Sequence, residues 1–151
     1  THRRILPQPR TDMNRTANAR WTGKVQDGQG TLSTQSGVLS ETPYSFRSRF
    51  GDGKETNPEE LIAAAHAGCF SMAVSLFLSE AGFVPESIAT KADLTFDPAK
   101  LEITAIHLTL SARVPGIVEA DFQEIAAKAK SGCPVSKVLR AEISLTATLE
   151  A

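Results

Sequence analysis

The chain has 151 residues, 41% of them hydrophobic, with 16 Lys and Arg against 17 Asp and Glu. That is the length of one domain with enough apolar content for a core, and a net charge of −1 gives no reason to expect nucleic acid or a membrane surface as partner. Two cysteines are too few for a disulfide-stapled secreted scaffold, so a reducing, cytoplasmic setting is expected, in which a cysteine pair serves catalysis or a metal sooner than structure.

Residues 1–18 carry Pro7, Pro9 and several arginines without any apolar period, which predicts a flexible arm. They also lack the apolar segment of a signal peptide, and Met13 stands among them as a second candidate start. A single domain is expected over 19–151. Residues 19–26 and 30–35 read as a hairpin around Asp27-Gly28. Residues 43–50 alternate strictly, with Tyr44, Phe46, Ser48 and Phe50 on one face and Ser45, Arg47 and Arg49 on the other, which predicts a third strand.

A long helix follows from 58 to about 80. Asn57 suits its N-cap, Pro58 its first position, and Glu60 the N3 position of a capping box; Ala81-Gly82 closes it. Apolar and small residues run round most of its circumference. His66, Gly68, Ser71 and Ser75 interrupt the run, so a buried core helix is expected, not a membrane span. A chain this small cannot readily enclose such a helix on every side, whereas a second subunit could. Strands are predicted at 86–96, 102–114 and 142–149, and helices at 118–131 and 134–140. The order βββ-α-ββ-α-α-β gives an α+β fold with mostly antiparallel sheets.

Cys69 lies within the long helix, with His66 at i−3 and Met72 at i+3. It reads either as an inert small hydrophobe or as a reactive thiol. Apolar burial raises a thiol's pKa, so the second reading requires a cation nearby, and His66, Arg47 and Arg49 are the candidates. Cys133 precedes Pro134 at a helix start, where the free N–H groups favour a thiolate, or it is an unreactive cap. A metal held by Cys69, His66 and Cys133 lacks a fourth ligand and the paired spacing of zinc sites. Glu59, not needed for the cap, either compensates the helix dipole or holds an arginine by a bidentate pair.

The segment Asn57-Pro58-Glu59-Glu60-Leu61-Ile62-Ala63-Ala64-Ala65-His66-Ala67-Gly68-Cys69-Phe70-Ser71-Met72-Ala73 resembles the central helix of the OsmC (osmotically inducible protein C) family. Cys133-Pro134-Val135-Ser136-Lys137-Val138-Leu139 resembles its second cysteine motif. Trp21-Thr22-Gly23, Ser36-Gly37-Val38-Leu39 and Pro43-Tyr44-Ser45-Phe46 extend the likeness over about 19–149. The second motif is unlike the Cys-Pro-Tyr-Ser usual in the related organic hydroperoxide resistance branch.

The resemblance implies an intertwined homodimer, its mostly antiparallel sheets wrapped around long central helices, with active sites at the interface. It implies a thiol-dependent peroxidase acting on organic hydroperoxides, more weakly on hydrogen peroxide, in oxidative or osmotic stress defence. Cys69 would be the peroxidatic cysteine, Cys133 the resolving one, Arg49 the thiolate-activating arginine and Glu59 the carboxylate that orients it. No cofactor or metal is implied, and the reductant would be a lipoyl-type dithiol. The other reading is a non-enzymatic redox-sensing or ligand-binding protein using the same cysteine pair.

Overall fold

The computed structural model describes residues 12–151, so residues 1–11 of the expected arm lie outside the described residues. Regular structure begins two residues before position 19. Strand β1 (Ala17–Thr22) pairs antiparallel with β2 (Gln29–Thr34), which pairs antiparallel with the short β3 (Thr42–Tyr44). The hairpin loop is longer than the expected Asp27-Gly28 turn and opens at Gly23, whose φ of +88° suits glycine. Gly30 leaves room for Trp21 and Tyr44 to approach across the sheet, their ring centroids 5.5 Å apart.

The expected strand over 43–50 is half wrong. Only its start is extended; Phe46–Phe50 forms a short helix, α1. A reciprocal cap overrides the alternation: the Ser48 N–H donates to Ser45 Oγ (3.2 Å) and the Ser45 N–H to Ser48 Oγ (2.8 Å). Phe46 and Phe50, one helical turn apart, then stack at 4.8 Å. Arg47 and Arg49, same-faced in a strand, point in different directions in a helix.

Helix α2 (Pro58–Glu80) has the expected bounds. Asn57 caps it, Oδ1 accepting from the Glu60 N–H at 2.7 Å, while its Nδ2 donates to the Ser48 carbonyl and ties α2 to α1. The expected capping box is not closed: the Glu60 carboxylate accepts the Thr56 hydroxyl instead, at 2.8 Å.

The second sheet holds β4 (Ser87–Asp97), β5 (Glu102–Arg113) and β6 (Glu142–Leu149) in that order. β4 and β5 are antiparallel, but β6 joins β5 in parallel, because it returns through a crossover of two helices, α3 (Glu119–Gly132) and α4 (Pro134–Val138). The core lies between this sheet and the helices. Ile106, Leu108, Leu110 and Ala112 of β5 meet Phe70, Val74 and Leu78 of α2 and Phe122, Ala126 and Ala129 of α3, all fully buried. That removal of apolar surface from water is the main stabilising term, at about 1.5–3 kcal/mol for each large side chain.

Among the described residues, only one side of α2 is covered. His66, Phe70, Val74 and Leu78 form the buried stripe. The opposite stripe lies open, with Ala64 and Gly68 exposed, Met72 77% exposed and Leu76 54% exposed. By length and composition α2 could cross a membrane. Its buried Glu59 and His66, both bonded to neighbouring elements, mark it as a helix built into a protein.

Candidate active site: two pairs on one helix

The fold brings the two cysteines together from 64 positions apart: Cys133 Sγ and Cys69 Sγ lie 2.9 Å from one another and share a hydrogen bond. Cys69 faces α4 from the middle of α2 and is partly exposed; Cys133 is fully buried. The chain reaches this arrangement because α3 ends at Gly132 and Cys133 is extended (φ −62°, ψ 127°), serving as the N-cap of α4 with Pro134 in the first turn. Its N–H closes the last turn of α3 on the Ala129 carbonyl.

Burial raises the Cys69 thiol above its ordinary value, and the adjoining Cys133 adds to this, through the shared hydrogen bond and through its charge; the Val135 N–H, donated to the Cys69 sulfur, acts in the opposite sense. The proton between the sulfurs decides the state. With Cys133 as donor, the bond stabilises a Cys69 thiolate; with Cys69 as donor, it holds the thiol. Cys69 therefore needs a further positive charge to ionise readily.

His66 does not supply that charge. It is fully buried, burial lowers its pKa so that it stays neutral near pH 7, and its Nε2 lies 2.8 Å from Ser136 Oγ. Its Nδ1 has no partner among the described residues.

The arginines part ways. Arg47 pairs with Asp52 at 3.1 Å, both well exposed, where such a pair is worth little. Arg49 donates through Nε to Glu59 Oε1 at 2.7 Å, with side chains 40% and 11% exposed. The expected bidentate pair is a single bond. Glu59 Oε2 is buried without a partner among the described residues, and the terminal nitrogens of Arg49 make no hydrogen bond to them. Phe50 and Phe96 flank the guanidinium at 5.3 and 5.5 Å from their centroids.

Within the chain, then, Cys69 and Cys133 form one pair, and Arg49 and Glu59 another. Glu59 and Cys69 are separated along α2 by about 15 Å, ten residues at ~1.5 Å each. Among the described residues no cluster of three His, Cys, Asp or Glu side chains is assembled. Sequence reasoning missed Ser136, Val135 and Phe96. For Ser136 a signal existed: it stands three positions after Cys133, as His66 stands three before Cys69.

An α+β scaffold that holds two reduced cysteines side by side, one partly open and one buried, defines a thiol-redox protein. The chain belongs to the OsmC-like protein family, whose match covers residues 51–148. It is 54% identical over 135 residues, 88% of this chain and 94% of the relative, to peroxiredoxin OsmC of Escherichia coli. It is 30% identical over 136 residues, 89% of this chain and 93% of the relative, to the organic hydroperoxide resistance protein of Xanthomonas axonopodis pv. citri. Among solved structures, an OsmC-like protein from Mycoplasma pneumoniae superposes with a TM-score of 0.73 over 93% of this chain and all (100%) of its own, at 14% identity, a likeness of fold alone.

Proposed function

We propose that the chain is a cysteine-based peroxidase that reduces organic hydroperoxides to alcohols, and hydrogen peroxide more weakly, in stress defence. The observation that carries this reading is the 2.9 Å approach of Cys133 to Cys69; family membership and the names of the relatives support it. The Cys69 thiolate attacks the terminal peroxide oxygen. The O–O bond breaks, the alcohol leaves with a proton, and Cys69 becomes a sulfenic acid. Cys133 then attacks the Cys69 sulfur, and water departs as the disulfide forms. An external dithiol of lipoyl type restores both thiols by exchange. The compartment proposed is the cytoplasm.

Arg49 stabilises the thiolate and the charge developing on the peroxide, and Glu59 orients it. Since these two stand far from Cys69 in their own chain, the proposed unit is a homodimer in which the partner's Arg49 and the partner's Glu59 complete the site. Position 64 lies midway between 59 and 69. Two antiparallel α2 helices crossing at Ala64 would set Glu59 of each beside Cys69 of the other. The exposed, small Ala64, Ala65 and Gly68 permit the close approach, and the open Met72–Leu76 stripe would be covered. The test is turnover of cumene hydroperoxide with dihydrolipoamide, beside hydrogen peroxide. Steady consumption with excess dithiol supports the reading; a single disulfide-forming event without turnover would point to a redox sensor instead.

A further inference from the structure

The cysteine contact is one of two rungs between α2 and α4. Cys69 meets Cys133, the N-cap of α4, and, one turn along α2, His66 meets Ser136 at 2.8 Å. On α2 the two rung residues are three positions apart on one face, and Ser136 stands three positions after the cap residue Cys133. The first rung changes its bonding in every catalytic cycle: thiol contact, sulfenic acid, disulfide. The second contains nothing the reaction alters. We propose that His66 and Ser136 are positioning residues, whose buried hydrogen bond keeps α4 docked so that Cys133 reaches the Cys69 sulfur whenever a sulfenic acid forms. This rests on the peroxidase reading above.

Three observations carry it. α4 has five residues and no side-chain bond at its cap, so it has little stability of its own. His66 is fully buried, so water does not compete for its bond to Ser136, and that bond is the only one its ring makes among the described residues. A polar ring in an apolar core is costly unless bonded, at about 1–3 kcal/mol, so its single partner decides where it sits. Moreover, Val135, whose N–H reaches the Cys69 sulfur, immediately precedes Ser136, and the tie holds that donor too.

The consequence is a partition. A Cys69 sulfenic acid has two fates. The Cys133 thiol attacks it: an S–S bond forms, the S–O bond breaks, and the thiol hydrogen leaves with the hydroxyl as water. Alternatively a second hydroperoxide donates its terminal oxygen, giving the sulfinic acid and an alcohol. Loosening α4 slows the first fate, which needs Cys133 in place; the second needs only peroxide access to Cys69.

The test uses the full-length protein as wild type, Ser136→Ala, Ser136→Thr and His66→Gln, treated with graded cumene hydroperoxide, quenched and weighed by mass spectrometry. Ser136→Ala should raise sulfinic acid formed per disulfide by about tenfold, short of the ~10²-fold that a full ~1 Å misplacement of reacting groups can cost. Ser136→Thr, which keeps the hydroxyl, should stay near wild type. His66→Gln, which keeps a donor, should fall between. Disulfide closure by oxidised glutathione reads the same placement without peroxide: the effective concentration of Cys133 at Cys69 should drop by a similar factor in Ser136→Ala. That readout survives even if peroxide turnover is absent, in which case only the peroxidase reading falls. An unchanged partition and unchanged closure in folded Ser136→Ala, or a Ser136→Thr as impaired as Ser136→Ala, would overturn the proposal.

Discussion

The two working stretches of α2 are held by opposite physics. At its start, Arg49 and Glu59 form a charge-assisted bond at the edge of solvent, with guanidinium nitrogens and one carboxylate oxygen unengaged among the described residues. In its middle, partly exposed Cys69 meets buried Cys133, and burial together with the neighbouring sulfur favours the neutral Cys69 thiol. Each has what the other lacks: cation without nucleophile, nucleophile without cation. Such a separation is stable in one chain because neither pair leaves a bare charge buried, yet the proposed chemistry requires them together.

Breaking the sulfur pair should have the largest effect. Cys69→Ser is expected to abolish peroxide consumption, whereas Cys133→Ser should react once and stop at a sulfenic acid that a small thiol reagent traps. Mass spectrometry after one equivalent of peroxide distinguishes them. Turnover surviving in Cys69→Ser, with the sulfenic acid on Cys133, would reverse the roles.

Breaking the charge pair comes next. Arg49→Ala should slow peroxide reduction by about a hundredfold, the scale for losing one charge-stabilising donor. Its pH profile supplies the sign. Burial raises the Cys69 pKa and a guanidinium opposes this, so the rise of rate with pH should move to higher pH when Arg49 is removed. An unmoved profile would separate Arg49 from the thiolate. Glu59→Gln should have the same sense and a smaller size, with little change in melting temperature.

The open stripe of α2 starts between those two pairs, at Ala64 and Gly68, and runs on through Met72 and Leu76. Gly68→Glu should prevent the close approach of two such helices and yield monomer by sedimentation, with activity lost in proportion. A dimer of unaltered stability would place the association surface elsewhere. The smallest effect is expected at Glu60, whose carboxylate accepts only the Thr56 hydroxyl among the described residues. Glu60→Gln keeps an acceptor and should shift stability by under about 1 kcal/mol without touching rate.

How much of this was legible depended on range. α2 was readable to its ends because Asn57, Pro58 and the terminal Ala81-Gly82 act locally, and β4, β5 and β6 because alternation and turns punctuate them. The α1 segment was misread because alternation over 43–50 competes with the Ser45–Ser48 cap, and two side-chain bonds won. Parallel pairing of β6 followed from a crossover whose destination no local signal announces. At the site, residue types left each cysteine open between inert and reactive and family likeness named the peroxidase chemistry, but the meeting of Cys69 with Cys133 and of His66 with Ser136 is tertiary. Arg49 was favoured over Arg47 by family likeness alone, since a strand would have placed them alike.

The central claim is that Cys69 of one chain is served by Arg49 of another, and mixed dimers test it most directly. Cys69→Ser and Arg49→Ala subunits, each nearly inactive alone, should regain activity when combined, because each mixed dimer then holds one site with Cys69 from one chain and Arg49 from the other. Recovery approaching half the wild-type rate per mixed dimer is the predicted result. Mixed dimers as inactive as their parents would show that each arginine serves its own chain, and would contradict the account.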